Sequence, residues 1–158
     1  HIPPFKSLFI DSSSTALALA ERLDLSFKTV VTNNLQTALQ LAKKPNINLI
    51  ILGGSVQNNT NSASGSWTAR QLNDFSFDLM ISSCASVLGK DVYESSIETK
   101  EVKRAAFDHC KRRLLIFDHS KFGAHATYRF TELSAYDLVV TDAPPPAGTD
   151  EGDVNFIY

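Results

Sequence analysis

The sequence predicts an α/β fold, an open and mostly parallel sheet with helices on both faces. Three observations carry this. Short apolar or β-branched runs alternate with stretches of helical period. Runs such as Leu8-Phe9-Ile10 and Leu49-Ile50-Ile51-Leu52 are apolar at successive positions, as strands covered on both faces must be. A polar or glycine-containing turn closes each run, and in a parallel sheet those turns gather on one rim.

Taken in order, Lys6–Asp11 is the first strand, and Ser14–Leu23, rich in Ala and Leu, is a helix capped by the serines before it. Lys28–Thr32 is a second strand, with Asn33 as N-cap of a helix from Asn34 to about Lys43. Pro45 ends that helix. Asn48–Leu52 is the third strand, stopped by Gly53-Gly54. The Ser- and Asn-rich stretch Ser55–Ser64 reads as a loop, followed by a helix from about Ser66 to Asn73 and a strand Asp78–Ser83. Leu88–Ser96 reads as polar and irregular. A long helix from about Glu98 to Lys111 follows, then strands Arg113–Asp118 and Asp137–Thr141. Residues 143–148 are a stiff connector, and Val154–Tyr158 adds a late strand or docks on the surface. The reading is one domain over 1–158, with its core at about 6–142.

A chain of 158 residues can bury one core, and 43% hydrophobic with 20% charged residues is ordinary for a soluble globular protein. The net charge of −2 supplies no basic face of the kind a free-standing nucleic-acid-binding module needs. No apolar run approaches the ~20 residues of a membrane span, and no signal peptide is present. Cys84 and Cys110 lie in apolar segments and suggest reduced, buried thiols and a cytoplasmic protein. His1 carries no weight in the reading. His109, His119 and His125 lack metal-ligand spacing, there is no GxGxxG or Walker A lysine, and no cofactor is expected.

The most informative local feature is Asp11-Ser12-Ser13-Ser14-Thr15, between a strand and a helix. The first N–H groups of a helix are unpaired and its dipole favours an anion, so a run of hydroxyls there forms a phosphate cradle. One serine or aspartate would satisfy a plain N-cap; this run exceeds that need. Thr32-Asn33-Asn34, Gly53-Gly54 and Ser83-Cys84 end the next strands on the same rim. The glycines permit either close backbone approach to a ligand or a tight turn. After the fifth strand, Asp118 and Lys121 would bond sugar hydroxyls and pair with a phosphate, or they form a solvated turn with Asp118 as a cap. Lys100, Lys103 and Arg104 read as a solvated basic face unless one side meets the crevice. A Cys84–histidine nucleophile pair has no local support, and a buried structural thiol is the simpler reading.

The ordered series of these motifs resembles the C-terminal sensor domain of the DeoR family of bacterial regulators, from about Lys6 to Asp142. The matching elements are Asp11 to Thr15, Thr32-Asn33-Asn34, Leu52-Gly53-Gly54, Gly65 at a helix head, Glu98…Val102-Lys103-Arg104, Asp118-His-Ser-Lys121-Phe-Gly123 and Asp137…Thr141-Asp142. The resemblance implies a Rossmann-like fold similar to that of ribose-5-phosphate isomerases and CoA transferases. It implies an effector that is a phosphorylated sugar or sugar alcohol, with Lys103 or Glu98 at the sugar end, and a homo-oligomer, dimer or tetramer. DNA would be met only through an N-terminal helix-turn-helix that this chain lacks. Two departures stand out. Ser13 occupies the place of the family's usual glycine, which is compatible with the phosphate role if its φ stays negative. The stretch Ser83–Val87 lacks the carboxylates of the isomerases, leaving Glu98 as the one candidate base. A ligand sensor without catalysis is therefore expected, with a sugar-phosphate isomerase as the rival.

Overall fold

The computed structural model describes residues 2–149 and 154–158; His1 and residues 150–153 lie outside them. In chain order the elements are β1 (Ser7–Ile10), α1 (Ser14–Glu21), β2 (Thr29–Thr32), α2 (Leu35–Leu41), β3 (Asn48–Ile51), β4 (Ser55–Gln57), β5 (Ser62–Ser64) and α3 (Ser66–Gln71). Then come β6 (Phe77–Ser82), β7 (Ser86–Leu88), β8 (Asp91–Glu94), α4 (Ile97–Asp108), β9 (Cys110–Ile116), β10 (Tyr128–Glu132), β11 (Leu138–Val140) and β12 (Phe156–Ile157).

Seven strands form one sheet in the order β12-β11-β9-β6-β1-β2-β3, every pair parallel. Successive side chains of a strand point to opposite faces, and both faces here are dry. Leu8 and Ile10 join Ala16 and Ala20 of α1 and Leu41 of α2 on one side. Phe9 faces the other way, into a cluster with Val102, Ala106 and Phe107 of α4 and with Val87, Val92 and Phe130. The last three belong to a small antiparallel sheet, β10-β8-β7, which lies with α3 and α4 on that second face.

Three local expectations are corrected, and two alternatives are decided. The N-cap of α2 is Asn34, not Asn33: its side chain accepts from Thr37 N at 2.8 Å. Ser55–Ser64 is not a loop but the β4–β5 hairpin, whose short polar strands carry no apolar alternation to betray them. Leu88–Ser96 contributes β7 and β8, and β10 went unpredicted; all three are short strands that alternate only against one another. Asp118 caps a 3-10 turn, His119–Lys121, by accepting from Ser120 N at 2.9 Å. The late strand is realised as β12, parallel to β11.

Two side-chain devices fix the frame. Asp78 at the start of β6 accepts from the N–H groups of Lys6 (2.9 Å) and Ser7 (3.2 Å) and from Lys111 Nζ (2.8 Å), tying three strands at their N-terminal ends. At the opposite rim, Gly53 O accepts from Thr68 Oγ1 (2.9 Å) and Gln71 Nε2 (2.8 Å), which seats α3 against the end of β3. Gly54 has φ +146, and a Cβ there would lie 2.1 Å from Thr68 Oγ1. The Gly-Gly pair therefore serves close approach to a helix. Gly54→Ala is expected to cost about 2 kcal/mol or more. Urea unfolding measures this, and a double-mutant cycle with Thr68→Ala should return part of the loss. A cost within about 0.5 kcal/mol would remove the contact as the reason for the glycine.

Candidate functional site

Strand order reverses beside β1. From β1 the chain steps outward through β2 to β3, then returns to β6 on the other side and continues to β9 and β11. In open α/β sheets ligands bind at such a switch point, beyond the carboxyl ends of the strands. Here that point lies between Asp11, after β1, and Ser83, after β6.

Asp11 closes the base of this crevice. One carboxylate oxygen accepts from Ser13 N (3.0 Å), and the other accepts from Ser83 N (2.9 Å) and lies 3.2 Å from Lys103 Nζ. Lys103 reaches in from α4, where it shares the buried stripe with Val102, Ala106 and Phe107. It is only 3% exposed, and its ammonium donates to Ser83 O and to the carboxylate of Glu94, the last residue of β8 and itself buried. Burial alone would push Lys103 down, but the charges of Glu94 and Asp11 outweigh it and hold the ammonium above the ordinary lysine range. Burial pushes Glu94 up, against the pull of Lys103 and with the help of Asp11, its rival for the same cation. The cluster thus sets one lysine between two buried carboxyl groups.

Two cavities open from here. The first, about 140 Å³, is lined by Asp11, Ser12, Ser13, Thr60, Ser83, Cys84, Ala85, Glu94, Ser95, Thr99 and Lys103. The second, about 370 Å³, lies over the start of α1 and is bounded by Ser12–Ser14 and Leu17, by Asn34, Gln36 and Thr37 of α2, and by the hairpin turn Asn59–Asn61. Ser12, Ser13 and Thr60 border both, so the two are compartments of one crevice. In the second compartment Ser13 takes φ −83, and its hydroxyl accepts from Ala16 N at 3.0 Å. The serine in place of glycine is unstrained and serves as the cap. The N–H groups of Ser14 and Thr15 have no partner among the described residues, and they lie at the positive end of the helix dipole.

The structure brings together Asp11, Ser12, Ser13, Ser83, Cys84 and Lys103 around one compartment and Ser12, Ser13, Ser14 and Asn34 around the other. Thr32 and Asn34 spend their side chains on the frame. Thr32 Oγ1 accepts from Asn34 N (3.2 Å), and Asn34 Nδ2 donates to Thr60 O (2.9 Å) and Ser62 Oγ (3.1 Å), stitching the hairpin over the crevice. Asn33 Nδ2 donates to Ala63 O (2.8 Å), while its buried Oδ1 has no partner among the described residues and borders a small recess beside Asp11, Ser12 and Lys103.

Other candidates fall elsewhere. Gly53 and Gly54 hold α3 and line neither compartment. Thr15 and Asp118 border a separate, largely apolar hollow with Ile116, Phe117, Val140, Thr141 and Asp142. Lys121 lines neither compartment, although its charge acts on the Cys84 thiol. Glu98 is exposed in the first turn of α4 and lines neither compartment. Glu98, expected as the one candidate base, thus lies outside the crevice, and the carboxyl groups lining it are those of Asp11 and Glu94. Burial pushes the Cys84 thiol up to about 12, which agrees with a structural thiol. Glu94 and Thr60 were missed, yet a signal existed. A lysine within the apolar stripe Val102…Ala106-Phe107 demands a buried acid partner, and the alternating Val92-Tyr93-Glu94 offers one.

Lys103→Met leaves two carboxylates buried without a cation, which should cost about 3–5 kcal/mol at pH 7. Lys103 is what pulls Glu94 down against its burial, so without it Glu94 rises further above its ordinary value in the folded chain. The deficit should therefore shrink as pH falls toward 5 and that carboxyl takes up a proton. Denaturant unfolding at pH 7 and pH 5 checks both; a loss independent of pH would refute the charge argument.

A family model described as the DeoR C terminal sensor domain matches residues 1–143. The glycerol-3-phosphate regulon repressor of Escherichia coli (strain K12) is 33% identical over 148 residues, covering 92% of this chain and 59% of the repressor. The HTH-type transcriptional regulator GolR of Listeria innocua is 32% identical over 139 residues, covering 87% of this chain and 55% of that protein. The deoxyribose operon repressor of Escherichia coli (strain K12) is 30% identical over 146 residues, covering 91% and 58%. The chain thus spans less than two thirds of the length of these relatives. Among solved structures, ribose 5-phosphate isomerase A from Neisseria gonorrhoeae superposes with a TM-score of 0.49 at 13% identity, covering 78% of this chain and 48% of that one.

Proposed function

The chain belongs to the DeoR C-terminal sensor domain family, and on that premise we propose that its crevice binds a phosphorylated sugar or sugar alcohol as the effector of a bacterial transcription regulator. The observation that carries this is the division of the crevice into two compartments of opposite character meeting at Ser12, Ser13 and Thr60. The larger is uncharged, rich in hydroxyl and amide groups, and lies over the start of α1 at Ser14, whose N–H has no partner among the described residues, a setting suited to a phosphate. The smaller holds Asp11 and Glu94 around Lys103, so its one lysine is already engaged and is a poor phosphate site, while the carboxyl oxygens can accept hydrogen bonds from sugar hydroxyls. The ligand therefore lies with its phosphate over α1 and its hydroxylated end toward α4.

The curated relatives are repressors and regulators of transcription, one of them named for glycerol 3-phosphate and one for the deoxyribose operon. By that likeness the whole protein would be a cytoplasmic, oligomeric repressor of carbohydrate metabolism. It would meet its operator through a helix-turn-helix outside this domain, and effector binding would shift its population between forms of different operator affinity. Among the described residues no helix is long and apolar enough to cross a membrane.

Calorimetry against a panel of phosphorylated sugars and polyols, glycerol 3-phosphate included, tests the reading. At least one should bind, and its unphosphorylated counterpart should not. Ser14→Asp puts a negative charge at the first position of α1, where the helix dipole tolerates it but a phosphate does not. It should weaken binding about tenfold or more, or ~1.4 kcal/mol. An unchanged affinity in Ser14→Asp, or a panel with no binder, would refute the assignment.

A further inference from the structure

The sheet ends at β3, and that end is built unlike the rest of the surface. Asn48 N donates to Lys28 O and Leu52 N to Thr32 O, so alternate residues of this strand face β2. The N–H and C=O groups of Leu49 and Ile51 point away from the sheet, with no partner among the described residues. Soluble proteins guard such an edge with lysine, proline or a bulge. β3 has none of these: it reads Asn-Leu-Ile-Ile, and Ile51 is 43% exposed.

Apolar side chains collect around it. Of the nine large apolar residues left exposed among the described residues, six belong to β3 or to the segments beside it. They are Phe27, whose N–H bonds Asn46 O just before β3; Leu35 and Leu39 on α2; Ile51; Val56 on β4; and Trp67 on α3. Phe27 is 86% exposed and sits at φ +59, so a bulky ring is held in water on a backbone that disfavours it. The same region is nearly free of charge. Between Thr29 and Ala69 the only charged residues are Lys43 and Lys44, in a chain that is 20% charged.

We propose that β3 is the edge at which two copies of this chain join, by antiparallel pairing of β3 with β3 about a two-fold axis. A surface meeting its own copy must be self-complementary, and like charges facing across the axis would repel. An uncharged apolar edge with two unpaired backbone positions meets that condition. An acidic or nucleic-acid partner would require charge that this edge lacks. This deepens the oligomeric part of the function proposed above and is independent of the effector.

Sedimentation of the whole chain over a wide concentration range should give twice the chain mass, and Ile51→Lys and Leu39→Glu should each give the single mass. Leu88→Lys, on β7 away from this edge, should keep the double mass. Circular dichroism guards against a misfolded Ile51→Lys, and Leu39, 70% exposed on α2, can change without disturbing the core. Hydrogen exchange at the amides of Leu49 and Ile51 should be slow in the dimer and fast in the variants. A chain that stays monomeric overturns the proposal, as does a dimer that survives both substitutions. Slow exchange at these amides in a monomer also overturns it, because another part of the same chain would then cover the edge. Effector affinity measured on the same variants separates this outcome from failure of the ligand assignment.

Discussion

Three ionisable groups at the end of the central strands hold the crevice in shape. A lysine this deep cannot stay charged without anionic partners, and a carboxylate this deep cannot stay charged without donors. Asp11, Glu94 and Lys103 satisfy one another from three separate elements, β1, β8 and α4. Because Asp11 also accepts the N–H groups of Ser13 and Ser83, the cluster fixes the entry to α1 and the exit of β6 together. The small sheet β10-β8-β7 is thereby joined to the large one by an ion pair as well as by the apolar contacts of Val87, Val92 and Phe130.

That arrangement also sets the polarity of the binding cleft. One lysine shared by two acids is a poor anion site, so the phosphate proposed above would fall to the dipole and free amides at the start of α1, where no acid stands in the first turn. The hairpin turn Asn59–Asn61 forms the wall between the compartments, held by Asn34 and by the backbone bonds Leu35 N–Asn61 O and Ala63 N–Asn33 O. A ligand that touches Thr60 touches a segment continuous with Val56 and the open edge of the sheet.

The parts legible in the sequence were those with a local signature. Strands apolar on both faces, serines before a helix and glycines at a strand end all follow from short-range chemistry, and the parallel sheet and the crevice rim follow from them. The β4–β5 hairpin was not legible because its strands are polar and owe their form to Asn33 and Asn34, some 30 positions away. Glu94 was overlooked because nothing adjacent marks it; its role comes from Lys103, nine positions on and in another element. Asp118 and Lys121 read as site residues from their place on the rim. The rim is wider than the crevice, however, and Asp118 sits on the far side of α1.

The clamp at Asp11 also imposes an order in time. Its carboxylate meets the N–H of Ser83, 72 positions later in the chain, and then Lys103 later still. During synthesis at ~5–20 residues per second, β1, β2 and β3 emerge and can pair for seconds before either partner exists. Through that interval the central strand has one open side and its aspartate stays hydrated. The crevice cannot close until Lys103 has been made, so competence to bind reports that synthesis has passed α4.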